Sequence, residues 1–214
     1  MTKTEYEDIC IKRLGSRAFY KLNQARVAVA GLGGLGSHIA VMLARSCVGT
    51  LHIIDFDNVD VSNLNRQEYY LEHIGRAKTE CLKEKLLSIN PYLNVVADNV
   101  KITPDNLETL FVNEKIVCEA FDSAVQKAML VNGLLSAFPD IKLVSGSGMA
   151  GWADTNLIKT RKVFRNFYVC GDEQNEIKDN LPLMAARVSV CAGHQANKVI
   201  QLILEEGDEY DYDK

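Results

Sequence analysis

Residues 26–55 read RVAVAGLGGLGSHIAVMLARSCVGTLHIID, and the fold class follows from how this stretch alternates. Arg26–Ala30 is a short apolar run of strand length that ends at a glycine-rich turn, residues 31–36. Residues 35–47 are small and apolar, as a buried helix requires, and Thr50–Asp55 is a second strand-like run. Strand, glycine turn, helix and strand in that order form the right-handed unit from which open parallel sheets are built.

The alternation continues outward. On the N-terminal side, residues 4–22 predict a helical arm carrying Arg13 and Arg17. On the C-terminal side the pattern predicts a helix over 77–89 stopped by Asn90-Pro91, a strand over 94–100 and a helix after Thr103-Pro104. A strand over 115–121, a helix over 124–137 and a strand over 141–144 follow, the last running into the small-residue turn SGSGMAG. Residues 155–163 and 167–170 are expected to pair as antiparallel edge strands, since few residues separate them. A polar crossover loop at about 171–182, a helix over 185–205 and a short acidic tail complete the chain. The expectation is one domain over 1–214: a doubly wound, Rossmann-like α/β fold, mainly parallel, with an antiparallel extension near the C-terminus.

Composition narrows the class of function. A hydrophobic fraction of 47% and a charged fraction of 24% are those of an ordinary globular chain. A formal net charge of −4 supplies no broad basic field, so nucleic acid is not the expected partner. No apolar run approaches the ~20 residues that cross a bilayer, and MTKTEYEDIC is too charged for a secretory signal, so a cytoplasmic protein without membrane contact is expected. The six cysteines, at 10, 47, 81, 118, 170 and 191, form no Cys-x-x-Cys pair, so no structural zinc is expected.

Gly31, Gly33, Gly34 and Gly36 lie between a strand and a helix, where the backbone can approach a phosphate closely and the helix N-terminus offers unpaired N–H groups. Asp55 ends the second strand, where a carboxylate can accept the ribose hydroxyl protons. Both features suit NAD as well as ATP. The loop that follows, Asp55 through Asp57, Ser62, Asn63, Arg66 and Gln67, is rich in amides and carries one cation, which suits a triphosphate whose departing pyrophosphate gathers negative charge. Lys78 opens a predicted helix, where the helix dipole slightly disfavours it; a phosphate contact explains the placement, and a solvated surface lysine is the plain alternative. Asp122 stands at the C-terminal edge of a strand, as a magnesium ligand or as the cap of the next helix.

These motifs, GLGGLGS at 31–37, IDFDNVDVSNLNRQ at 54–67, the Gly-x-x-Lys ending at Lys78, and Asp122, resemble in order those of the ThiF and MoeB adenylyltransferases, bacterial relatives of the ubiquitin-activating enzymes. Residues 187–197 resemble the last helix of that fold. The resemblance implies that ATP and Mg2+ are used to adenylate the C-terminal carboxylate of a small ubiquitin-like sulfur carrier ending Gly-Gly, ThiS-like, for thiamine thiazole synthesis. Gly34 would lie against the nucleotide and Asp55 would hold the ribose. Ser62, Asn63 and Arg66 would surround the phosphates, Lys78 would contact them during attack, and Asp122 would hold magnesium. It also implies a homodimer in which an arginine of the arm, Arg13 or else Arg17, reaches the neighbouring ATP, and it makes Cys170 the candidate thiol for sulfur transfer. A molybdopterin carrier, a tRNA-modifying dehydratase of the same superfamily, a nucleotide-binding scaffold and an NAD-linked oxidoreductase are the competing readings.

Overall fold

A computed structural model of the chain describes residues 1–175 and 181–206. The arm is two helices, α1 (Lys3–Leu14) and α2 (Ser16–Gln24), where the sequence suggested one. Gly15 separates them with φ +82, a conformation that opens α2 on a new axis. Thr2 and Glu5 cap the start of α1 reciprocally, and α1 buries none of its residues, whereas α2 buries Phe19 and Leu22.

Then come β1 (Arg26–Ala30), α3 (Gly34–Arg45), β2 (Thr50–Asp55), α4 (Lys78–Ile89), β3 (Asn94–Asn99), α5 (Pro104–Phe111), β4 (Ile116–Glu119), α6 (Ala124–Ala137), β5 (Lys142–Gly146), β6 (Lys159–Phe164), β7 (Phe167–Gly171) and α7 (Ala185–Leu204). The strands form one sheet in the order β3-β2-β1-β4-β5-β7-β6. All neighbours are parallel except β6, which runs antiparallel to β7. Of the two strands expected at an edge, only β6 is one: β7 pairs parallel with β5 on its other side. β6 also begins later than the sequence suggested, because Asp154 accepts hydrogen bonds from the backbone and side chain of Asn156 and coils 155–157 into a single 3-10 turn.

Alternating residues of the strands feed two cores. Val27 and Val29 of β1 pack with α3, α4 and α7 on one face; Ala28 and Ala30 pack with Leu107, Phe111, Leu130 and Leu134 of α5 and α6 on the other. The chain leaves β1 towards β2 on one side and reaches β4 on the other, so a crevice opens at the carboxyl ends of these central strands. Of the predicted crossover loop, residues 176–180 lie outside the described residues, as does the acidic tail, 207–214. No described helix is long and apolar enough to cross a membrane.

Candidate functional site

A cavity of about 570 Å³ occupies that crevice. Its floor is the glycine turn. Gly31 adopts φ +88, and a Cβ there would lie 3.0 Å from the carbonyl oxygen of Ala120. A Cβ on Gly36 would fall 1.8 Å from the carbonyl oxygen of Gly31, so Gly36 serves close packing of α3 on the turn and does not line the cavity. Gly31, Gly33 and Gly34 do line it, with Asp55, Asp57, Asn63, Arg66, Gln67, Lys78 and Asp122.

Asp55 is oriented by two backbone donors: Leu32 N–H reaches Oδ2 at 2.6 Å and Asp57 N–H reaches Oδ1 at 2.8 Å. The second of these ties the strand end to the loop. Tyr69, which the sequence reading did not single out, donates its hydroxyl to the Leu32 carbonyl oxygen at 2.9 Å and supports the glycine turn from the core side. Burial, with the negative charge of Asp55 nearby, raises its phenol well above the usual range, so the hydroxyl keeps the proton it donates.

Lys78 is buried, with 5% of its surface exposed, and its Nζ donates to Asp57 Oδ2 at 2.9 Å. The surface-lysine alternative therefore fails. Its burial follows from the loop: Val59 N–H donates to Arg76 O and Lys78 N–H to Asp57 O, so 57–59 and 76–78 run side by side and turn the ammonium inward. Arg66 uses Nη1 on the Ser62 carbonyl oxygen and Asn65 Oδ1, while its Nε is a buried donor with no partner among the described residues. Gln67 Oε1 is likewise buried and unpaired among the described residues.

Asp122 is exposed at the cavity rim and has no hydrogen bond or ion pair among the described residues. Ser123, not Asp122, caps α6, through Oγ to Gln126 N–H. The turn that presents Asp122 is fixed by Glu119, a fully buried carboxylate that accepts Phe121 N–H at 2.7 Å and also holds Lys127 and Ser145. A carboxylate inside the apolar run KIVCEAF was the signal for it in the sequence.

Besides Gly36, three further predicted residues fall elsewhere. Ser62 does not line the cavity; its hydroxyl donates to Asp60 Oδ1. Arg13 is exposed on α1, away from the cavity of its own chain. Cys170 is buried in the core, outside the cavity, and burial pushes its thiol up to about 11, so there is no accessible thiolate to carry sulfur. Arg187, which opens the stretch resembling the family's last helix, was assigned no role from its sequence position. Its buried guanidinium joins Asp172, after β7, to the carbonyl oxygens of Ala153 and Asp154, and so clasps both approaches to the crossover segment.

The architecture is that of a Rossmann-like α/β domain with a charged cavity at its topological switch point. The chain belongs to the ThiF family, which matches residues 6–213. It is 35% identical over 147 residues to the tRNA threonylcarbamoyladenosine dehydratase of Escherichia coli K12, covering 68% of this chain and 54% of that protein. It is 34% identical over 129 residues to the molybdopterin-synthase adenylyltransferase of Salmonella typhimurium, covering 60% and 51%. The chain thus spans about half the length of these curated relatives. The crystal structure of the E. coli tRNA N6-threonylcarbamoyladenosine dehydratase in complex with ATP superposes with a TM-score of 0.83 at 23% identity, covering 93% of each chain, and shares the fold.

Proposed function

We propose that this chain adenylates a carboxylate at the expense of ATP. One observation carries the reading: a single cavity joins an ordered glycine turn and a pre-oriented Asp55 to a cationic wall, Arg66 and Lys78, and to a free carboxylate, Asp122, on the opposite rim. Adenosine would lie over Gly31, Gly33 and Gly34 with its ribose at Asp55, and its phosphates would face Arg66 and Lys78. The unpaired Arg66 Nε suits an anionic oxygen. Asp122 is suited to magnesium held by one carboxylate and substrate phosphates, and the ion would supply charge neutralisation there.

The substrate carboxylate is ionised at neutral pH and needs no general base. Its oxygen forms a bond to the α-phosphorus, the bond to the bridging oxygen breaks, and pyrophosphate leaves with the charge that Arg66 and Lys78 stabilise. We infer that the substrate is the Gly-Gly terminus of a small ubiquitin-like sulfur carrier of the ThiS type, with thiamine thiazole synthesis as its destination and a molybdopterin carrier as the alternative. The cavity wall at Gly146, Ser147 and Gly148 carries little side-chain bulk, which suits a glycine tail. Arg13 or Arg17 would reach the phosphates from the arm of a second copy, in a homodimer. A second reading, adenylation of a carboxylate carried on tRNA, is favoured by the similarity to the E. coli dehydratase. The nicotinamide reading rested on the glycine turn and Asp55 alone, and family membership leaves it without support.

The test is exchange of labelled pyrophosphate into ATP, with a ThiS-like carrier, the same carrier lacking Gly-Gly, and threonylcarbamoyladenosine-bearing tRNA. Exchange that depends on the intact tail is the expected result. Exchange with tRNA alone selects the second reading, and none with any substrate, despite ATP binding, leaves a scaffold.

A further inference from the structure

Arg66 is carried by the long loop between β2 and α4, and the contacts of its side chain are local. The loop backbone is held by a different set of groups. His38, in α3, sets Nε2 3.2 Å from the carbonyl oxygen of Arg66 and Nδ1 2.8 Å from Glu68 Oε1. Lys85, in α4, donates to the Glu68 carbonyl oxygen at 3.0 Å and pairs with its carboxylate. Glu68 N–H donates to Ser37 Oγ at 3.2 Å, and Ser37 in turn donates to Gly33 O in the glycine turn. Ser189 of α7 completes the ring's surroundings at 3.3 Å from Nε2.

Of the three groups around the His38 ring, the Arg66 carbonyl oxygen and the Glu68 carboxylate only accept, whereas the Ser189 hydroxyl can donate or accept. A neutral imidazole has one N–H and serves one of the two acceptors; a ring protonated at both nitrogens donates to both. The hydrogen bond from His38, with Lys85 beside it, holds the Glu68 carboxyl down at about 2, so the anionic partner of the ring persists across the working pH range. His38 and Lys85 are mostly enclosed, with 15% and 11% of their side chains exposed, so solvent competes weakly for these bonds.

We propose that His38, anchored by Glu68 and Lys85, is a positioning residue for Arg66: it fixes the backbone from which the guanidinium enters the cavity and couples that point to the glycine turn. The role assigned to Arg66 rests on the adenylation reading, whereas the clamp itself rests on the contacts above.

The experiment measures ATP affinity by calorimetry, and carrier-dependent pyrophosphate exchange, in the full chain and in His38→Leu, His38→Gln, Arg66→Ala and His38→Leu with Arg66→Ala. His38→Leu is expected to weaken ATP binding and slow exchange by about tenfold or more, the order of loss that a displaced binding group brings. His38→Gln, whose amide N–H can still donate to Arg66 O, should recover most of both. In the Arg66→Ala background, His38→Leu should add nothing, because the residue it positions is gone. Additive losses, or a His38→Leu protein that binds ATP like the wild type, overturn the clamp. Should His38→Leu fail to fold, Glu68→Gln is read in the same way. A wild type that binds ATP without carrier-dependent exchange refutes the carrier reading alone, since the affinities still test the clamp; a wild type that binds no ATP refutes both.

Discussion

Lys78 and Asp57 are joined twice: the backbone N–H of Lys78 donates to the Asp57 carbonyl oxygen at 3.0 Å, and its ammonium donates to the Asp57 carboxylate at 2.9 Å. The first bond sets where the side chain starts and the second where it ends, so the cation is delivered to the cavity before any ligand arrives. Lys78→Ala is expected to reduce pyrophosphate exchange about 100-fold or more, as loss of a charge-stabilising group does. Wild-type exchange rates in this variant would remove Lys78 from the site.

Asp122 has no structural employment, since Ser123 caps α6. Asp122→Asn should leave thermal stability within about 0.5 kcal/mol of the wild type, as at an uncommitted surface position. Exchange should still fall about 100-fold and demand more magnesium. A loss of stability equal to a missing helix cap would assign Asp122 to α6 instead.

Arg187 and Asp172 are both almost fully buried. Removing one partner strands the other charge, so Arg187→Met should lower unfolding free energy by about 3–5 kcal/mol in urea titrations. Replacing both residues with apolar ones should recover part of that loss. Equal stability of the single and double variants would show that the bonds to Ala153 and Asp154, not the ion pair, carry the clasp.

His52 lies buried between two carboxylates, with Nδ1 2.8 Å from Glu114 Oε1 and Nε2 2.8 Å from Asp98 Oδ2. Burial alone would lower its pKa, but the hydrogen bonds to Glu114 and Asp98 outweigh it and the net shift is upward from 6.5. A raised folded-state pKa stabilises the native state fully below the unfolded value, and the benefit fades as pH rises through the folded one. From about pH 6.5 upward, therefore, the melting temperature of the wild type should fall relative to that of His52→Gln. Parallel curves would mean that the ring stays neutral when buried.

The alternation of strands and helices was legible because apolar period and glycine turns are local signals. α6 was placed at its observed bounds, while the break of the arm at Gly15 was missed because one glycine does not by itself reveal its φ. Most of the loop residues that line the cavity were legible too, since a loop motif names its own residues, although Ser62 and Gly36 of the same motifs do not line it. What supports it was not. Tyr69, Glu119 and Arg187 brace the surrounding structure through bonds to Leu32, Ser145 and Ala153, 37, 26 and 34 positions away in the chain, and no spacing rule connects such pairs. A surface position stayed open as the plain alternative for Lys78 for the same reason: its burial is imposed by Asp57, across the width of the loop.

β1 is paired on both sides and packed on both faces, and the turn that leaves it is closed against even a methyl group at Gly36. The bed on which the nucleotide would rest is thus finished before the ligand arrives, and selectivity is left to the rim. A fold built this way can be edited in its loops while the bed of the cavity stands untouched. Such independence gives a physical basis for one scaffold serving relatives named for a tRNA dehydratase and for a molybdopterin-synthase adenylyltransferase.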